Sequence, residues 1–177
     1  MDESTAEQWG VIGVETAKNQ SRVADRVLGM LESLADITDG FATDQLTHCL
    51  QTATRAERDG ADYEVVVASL CHDIGKAISV PNHPAIAAEI LKPYVRTEVY
   101  DMIRVHQDFQ GRHYYAHFGG DPEARMKHRD DLDDETWGLS ERFADDWDQT
   151  SFDPDYDTLP LEHFEPMVRE VFAQARL

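Results

Sequence analysis

At 177 residues the chain has room for one domain with a buried core. Its formal charge is −19, from 35 acids against 16 bases, and such a surface repels polyanions, which argues against nucleic acid as a partner. No apolar run approaches the roughly 20 residues that span a bilayer, and the acidic opening MDESTAEQWG does not read as a secretory leader, so a cytoplasmic protein acting on a small molecule is expected.

Apolar positions recur at helical rather than alternating spacing almost throughout. Val23, Val27, Leu28, Leu31 and Leu34 mark a first helix over about 21–36, broken near Thr38-Asp39-Gly40. A second runs from about Asp44, a side chain suited to an N-cap, to Asp59-Gly60. A third covers roughly 63–73 and ends near Gly75, and a fourth begins after Pro81-Asn82. A fifth covers 98–106 and continues, with a kink at Gly111, toward His117. Later helices are expected near 137–149 and 162–176, joined by the turn-rich SFDPDYDTLP. Only 63–70 is β-branched enough to suggest a strand, and it is too isolated to build a sheet. The expectation is an all-α fold, one domain over 1–177 with its core at about 44–150.

Two further features have plain explanations. Cys49 and Cys71 lie in apolar helical stretches and read as small buried hydrophobes. The acids crowded into 121–157 read as a solvated face. Asp153, Asp155 and Asp157 alternate as in a calcium loop, but the loop glycine and the closing glutamate are missing.

Histidine and aspartate carry the chemistry. His48 falls in the second helix, His72-Asp73 at the end of the third, His83 at the start of the fourth and His106 in the fifth, and Asp148 closes the series. One anchor per helix is how helical bundles gather ligands around a metal. Imidazole with carboxylate and no thiolate suits iron, manganese or zinc. A lone histidine is more simply a core or surface residue. An aspartate beside a histidine, between Ser69-Leu70-Cys71 and Ile74, is costly to bury without a cation.

His48, His72-Asp73 and Asp148 resemble the H…HD…D signature of the HD superfamily, and CHDIGK is very like its central motif. The added pair His83 and His106 resembles the subset that holds two metals. THCLQTA (47–53) and HPAIAAEIL (83–91) are similar to segments of the mixed-valent diiron oxygenases, namely myo-inositol oxygenase and the HD oxygenases that cleave hydroxyphosphonates. The resemblance covers about 44–150. It implies two iron ions, Fe(II)/Fe(III), with His48, His72 and Asp73 on the first, His83 and His106 on the second, Asp73 bridging and Asp148 as the last ligand. Asp145 and Asp146 stand close enough in sequence to take that last place. The phosphonate oxygenases carry histidine where this chain has Lys76, a slot in which it resembles myo-inositol oxygenase, whose lysine contacts substrate. They also carry a lysine where this chain has Gln110.

Lys76 follows Asp73 by three residues, so a continuing helical turn carries its ammonium toward the ligands. His106, Gln110, His113 and His117 fall on one helical stripe. If His106 is a ligand, Gln110 and His113 face the same cavity, with a break at Gly111 as the competing possibility. Lys76, Gln110 and His113 are therefore the expected substrate-binding residues. Arg104 and Arg112 fall off the stripe and answer the acidic surface. The resemblance implies an oxygenase that uses O2 to cleave a C–C or C–P bond of a small hydroxylated anion. The alternative is a dinuclear metal-dependent phosphohydrolase, and QDFQGRHYY after His106 lacks the signature of the superfamily's cyclic-dinucleotide phosphodiesterases.

Overall fold

The computed structural model describes residues 1–173, 175 and 176. Among these residues the chain is helical and has no strand, the all-α architecture that its periodicity predicts. The helices are α1 (Ala6–Gln20), α2 (Val23–Ser33), α3 (Gln45–Arg58), α4 (Tyr63–Cys71), α5 (His83–Leu91), α6 (Thr97–Gln110), α7 (Asp134–Arg142) and α8 (Leu161–Val171).

Local chemistry sets several of the boundaries. Asp44 accepts the N–H of Thr47, Asp62 those of Glu64 and Val65, and Asp133 that of Thr136. Each aspartate thereby satisfies donors that have no partner inside their own helix. The β-branched 63–70 segment is helix α4, not a strand. Every residue from Glu64 to Cys71 is buried, as befits a helix surrounded by others. α4 packs against α3, α6 and α8, while α6 also packs against α5 and α7. Leu70, Ile74, Met102, Phe109, Phe143 and Trp147 fill the space between them. The far end of α3 is tied to the segment after α7 through Asp59, whose Oδ2 accepts from Arg142 Nε at 2.9 Å and from Trp147 Nε1 at 3.1 Å.

Five elements differ from the sequence expectation. Helix α1 has no expected counterpart, because Trp9, Val11, Ile12 and Val14 scatter around the axis at 100° per residue and none of its residues is buried. The helix expected over 21–36 is α2 followed by a 3-10 turn, Leu34–Asp36. α6 stops at Gln110 and passes into 3-10 turns at Gly111–His113 and Tyr115–Phe118 instead of running on as α-helix. The helix expected near 137–149 starts earlier, at Asp134, and widens into a π-helix over Phe143–Asp148. Of the helix expected over 162–176, α8 ends at Val171, and residue 174 lies outside the described residues. No helix among the described residues is long and apolar enough to cross a membrane.

Candidate metal centre

Six side chains from five segments meet in the middle of the bundle: His48 from α3, His72 and Asp73 from the end of α4, His83 from the start of α5, His106 from α6 and Asp148 from the π-helix. None is more than 5% exposed. Asp73 leaves α4 at φ −102° and ψ 3°, a bridge-region conformation in which the chain tightens into the 3-10 turn Ile74–Ala77. That turn lies directly against the start of α5. A Cβ on Gly75 would sit 2.3 Å from the carbonyl oxygen of His83, so only glycine permits the approach. The wide turn of the π-helix, in which the Gln149 N–H reaches back to the Ala144 carbonyl at 3.2 Å, puts Trp147 and Asp148 on the buried side.

The four imidazoles share one hydrogen-bonding pattern. The Nδ1 atoms of His48, His72, His83 and His106 lie 2.9, 2.8, 2.7 and 2.7 Å from the carbonyls of Ser151, Ser69, Val80 and Ile103. A carbonyl only accepts, so each Nδ1 carries a proton and each Nε2 turns inward, where the neutral form of the ring offers a lone pair. His48 and His72 then meet Nε2 to Nε2 at 3.0 Å, and His83 and His106 at 3.2 Å. Lone pairs that close repel each other unless a proton or a metal ion lies among them.

The carboxylates complete the arrangement. Asp73 Oδ2 lies 3.5 and 3.4 Å from the Nε2 atoms of His48 and His72, while its Oδ1 lies 3.0 and 3.6 Å from those of His83 and His106. Asp148 Oδ1 is 3.2 Å from His48 and 3.5 Å from His72. Asp73 Oδ1 and Asp148 Oδ2 are buried without a hydrogen-bond partner, a costly state for a carboxylate oxygen that a metal ion relieves. The carboxylates call for positive charge beside them. Burial works to lower the His72 pKa, yet Asp73 and Asp148 hold it well above the usual imidazole value, so its Nε2 takes either a proton or a metal ion. Burial works to raise both aspartates, yet the neighbouring histidines, His72 foremost, keep each below the usual carboxylate range. Burial itself pushes His106 down, favouring its neutral, ligating form. His48, His72 and Asp148, and likewise His72, Asp73 and His106, offer donor atoms within 4.8 Å of one another, a spacing that can hold a metal ion. The residues present therefore fit a metal.

Around these donors lie the expected substrate-binding residues and others. Lys76 Nζ is 2.7 Å from Asp73 Oδ2 and donates to Gln45 Oε1 at 2.9 Å. It arrives there on the 3-10 turn Ile74–Ala77, the helical turn that its spacing suggests. Gln110 Nε2 donates to Asp148 Oδ1 at 2.8 Å. His113 does not join the cluster. The 3-10 turn at Gly111 breaks the helical stripe, and His113 Nε2 lies 2.8 Å from Asp145 Oδ1 on the partly exposed side. His117 lies beyond the same break, on the Tyr115–Phe118 turn, and is exposed. Arg112 also pairs with Asp145, and Arg104 with Asp101. Asp145 is thus taken up by basic groups and Asp146 is exposed, which leaves Asp148 as the acid among the histidines.

Sequence reasoning missed two neighbours. Gln45 precedes His48 by three residues on α3, a spacing that could have revealed it. Phe152 stacks on His48 with centroids 4.0 Å apart and the planes 7° from parallel, and Phe41 stacks on Phe152 at 4.1 Å. Nothing in the sequence signals that stack. Cys49 and Cys71 are free and buried, burial pushes both thiols up, and among the described residues the donor groups spaced to hold a metal contain neither.

No curated protein matches the sequence. The HD domain family model matches residues 46–153, a span that contains all six donors and most of the helices around them. HD domains are typically metal-dependent enzymes, which agrees with a buried His/Asp cluster able to bind metal. The chain belongs to the HD domain family.

Proposed function

We propose that this protein is a mixed-valent diiron oxygenase that uses O2 to oxidise and cleave a C–C or C–P bond of a small hydroxylated, anionic substrate. The observation that supports a two-ion centre is the division of Asp73, one carboxylate oxygen facing His48 and His72 and the other facing His83 and His106. In this reading His48, His72 and Asp148 would hold one iron and His83 and His106 the other, with Asp73 available to both. When bound, an Fe(II)/Fe(III) pair supplies Lewis acidity for the substrate oxygens and the electron that dioxygen activation requires.

The protein's own groups do the rest. The Nδ1–carbonyl hydrogen bonds lock four rings in the ligating tautomer and orientation. With two multivalent cations bound, two carboxylates and the Lys76 ammonium would leave the centre positive inside an acidic protein, which would favour an anionic substrate there. Lys76 orients that anion. Phe152, stacked between His48 and Phe41, covers one side of the centre against water.

The choice of oxidation over hydrolysis rests on the resemblance around His48, His83 and Asp148, since both chemistries accept this ligand set. The test is to offer the iron-loaded protein hydroxyphosphonates, polyols and phosphate esters while O2 uptake and phosphate release are followed separately. Uptake of O2 with a hydroxylated substrate, abolished by zinc, is the expected result. Anaerobic phosphate release from a nucleotide, with zinc or manganese as effective as iron, would make the protein a phosphohydrolase.

A further inference from the structure

The centre is surrounded by polar side chains whose hydrogen bonds can be traced one by one, and one of them leaves a buried donor unspent. Gln45 lies in the first turn of α3, three residues before His48, and is 0% exposed. Its Oε1 accepts from Lys76 Nζ at 2.9 Å, and that ammonium is itself 2.7 Å from Asp73 Oδ2. An ammonium has no acceptor, so the amide oxygen must face it and the NH2 group must face away. Gln45 Nε2 is buried there without a hydrogen-bond partner. Gln110 offers the contrast, because its NH2 is engaged by Asp148 Oδ1 at 2.8 Å.

A glutamine is a poor choice here for packing alone. Methionine or leucine fills a similar volume without burying an amide, and the Lys76 charge already has Asp73 as its counter-ion. What the amide adds is a neutral donor, fixed in place by Lys76, one contact away from a carboxylate at the heart of the centre. A fixed N–H on an amide whose oxygen is held by a cation is suited to an anionic oxygen, and such an oxygen would satisfy the orphaned donor.

We propose that Gln45 is a specificity-determining residue whose side-chain N–H donates to an anionic oxygen of the bound substrate, with Lys76 as the neighbouring cation. The proposal rests on the metal-centre reading above and deepens it: the substrate carries at least two oxygens of different kinds, one set for the metals and an oxyanion oxygen for Gln45.

Binding to the protein loaded with Mn(II) tests this without turnover, by calorimetry with inorganic phosphate, hydroxymethylphosphonate, glycolate and neutral glycerol as probes. The wild type should bind one or more of the three anions. Gln45→Met should weaken that binding by about 10- to 100-fold, the range for losing a hydrogen bond to a charged group. Gln45→Glu, equal in shape and still able to accept from Lys76, should abolish it, because a carboxylate then faces the anion. Both variants should keep the wild-type metal content, and glycerol should not discriminate among them. If Gln45→Met fails to fold, Gln45→Glu carries the comparison. Equal anion affinity in wild type and variants overturns the proposal, as does a metal-loaded wild type that binds none of the anions. A wild type that takes up no metal overturns both the proposal and the reading beneath it. Loss of anion binding on substitution, together with failure of the O2-uptake test, keeps the role of Gln45 and removes the oxygenase.

Discussion

His48 and His72 face each other Nε2 to Nε2 at 3.0 Å, although their Nδ1 protons are already committed to the carbonyls of Ser151 and Ser69. Were both rings neutral, lone pair would face lone pair in a fully buried place, so a proton or a metal ion belongs between them, and Asp73 and Asp148 favour that positive charge. His83 and His106 repeat the relationship at 3.2 Å. A cation within each pair turns repulsion into coordination, which couples metal occupancy to the stability of the bundle core.

Chelation should therefore lower the melting temperature of the purified protein. A ligand present at 100 times its Kd contributes about 2.7 kcal/mol of folded-state stability, and removing it forfeits that amount. Asp73→Ala should remove both metals because both histidine pairs share its carboxylate, whereas His83→Ala should remove one. Metal content per chain checks this. A single zinc per chain, indifferent to loss of His83 or His106, would rule out a dinuclear centre.

Lys76→Ala should leave the metals in place and raise KM for the true substrate. The ions then supply the charge that Asp73 needs, and the loss falls on substrate orientation. Steady-state kinetics beside metal analysis separates the two effects. Unchanged KM and kcat would reduce Lys76 to a structural partner of Asp73.

Gly75→Ala probes how the fold delivers His83. The added Cβ would lie 2.3 Å from the His83 carbonyl oxygen and 2.7 Å from its Cα, both backbone atoms that cannot swing aside. Overpacking of this kind costs about 1–3 kcal/mol, so denaturant unfolding should show a clear loss of stability. The metal held through His83 should dissociate more readily than the one held through His48. A variant with wild-type stability and metal content would show that the turn and α5 separate without cost.

Acid should act on the clamp between α3 and the π-helix. Hydrogen bonds from the Arg142 guanidinium and the Trp147 indole hold the Asp59 carboxyl below the usual carboxylate range. A depressed folded-state pKa contributes stability that is complete above the unfolded value of about 3.9 and is lost as pH falls through the folded one. The stability gap between wild type and Asp59→Asn should thus be constant near neutrality and close on acidification below about pH 4. Chemical denaturation of both proteins across that range measures it. A gap that widens in acid would contradict the assignment.

The all-α class and the succession of helices α2 to α8 were legible in the sequence, because apolar periodicity and the Asp44 N-cap act between residues at most four apart. The gathering of these side chains in the core was expected for a related reason: histidines and an aspartate set one to a helix in apolar surroundings are costly to bury without a cation. Helix α1 escaped notice because it buries nothing, and periodicity reports only a face that packs.

Tertiary structure alone decided how those donors are shared and which neighbours reach them. The 3-10 turn at Gly111–His113 took His113 away to Asp145, and the π-helix selected Asp148 over Asp145 and Asp146, both shifts of register that the pattern of residue types does not encode. The partition of Asp73 between two histidine pairs, the Phe152 stack on His48 and the unspent donor of Gln45 arise from contacts between segments far apart in the chain. Ser151, which sets the tautomer of His48, lies 103 residues beyond it. Such contacts depend on how helices cross, and the packing of whole faces determines that, where no local window of sequence can show it.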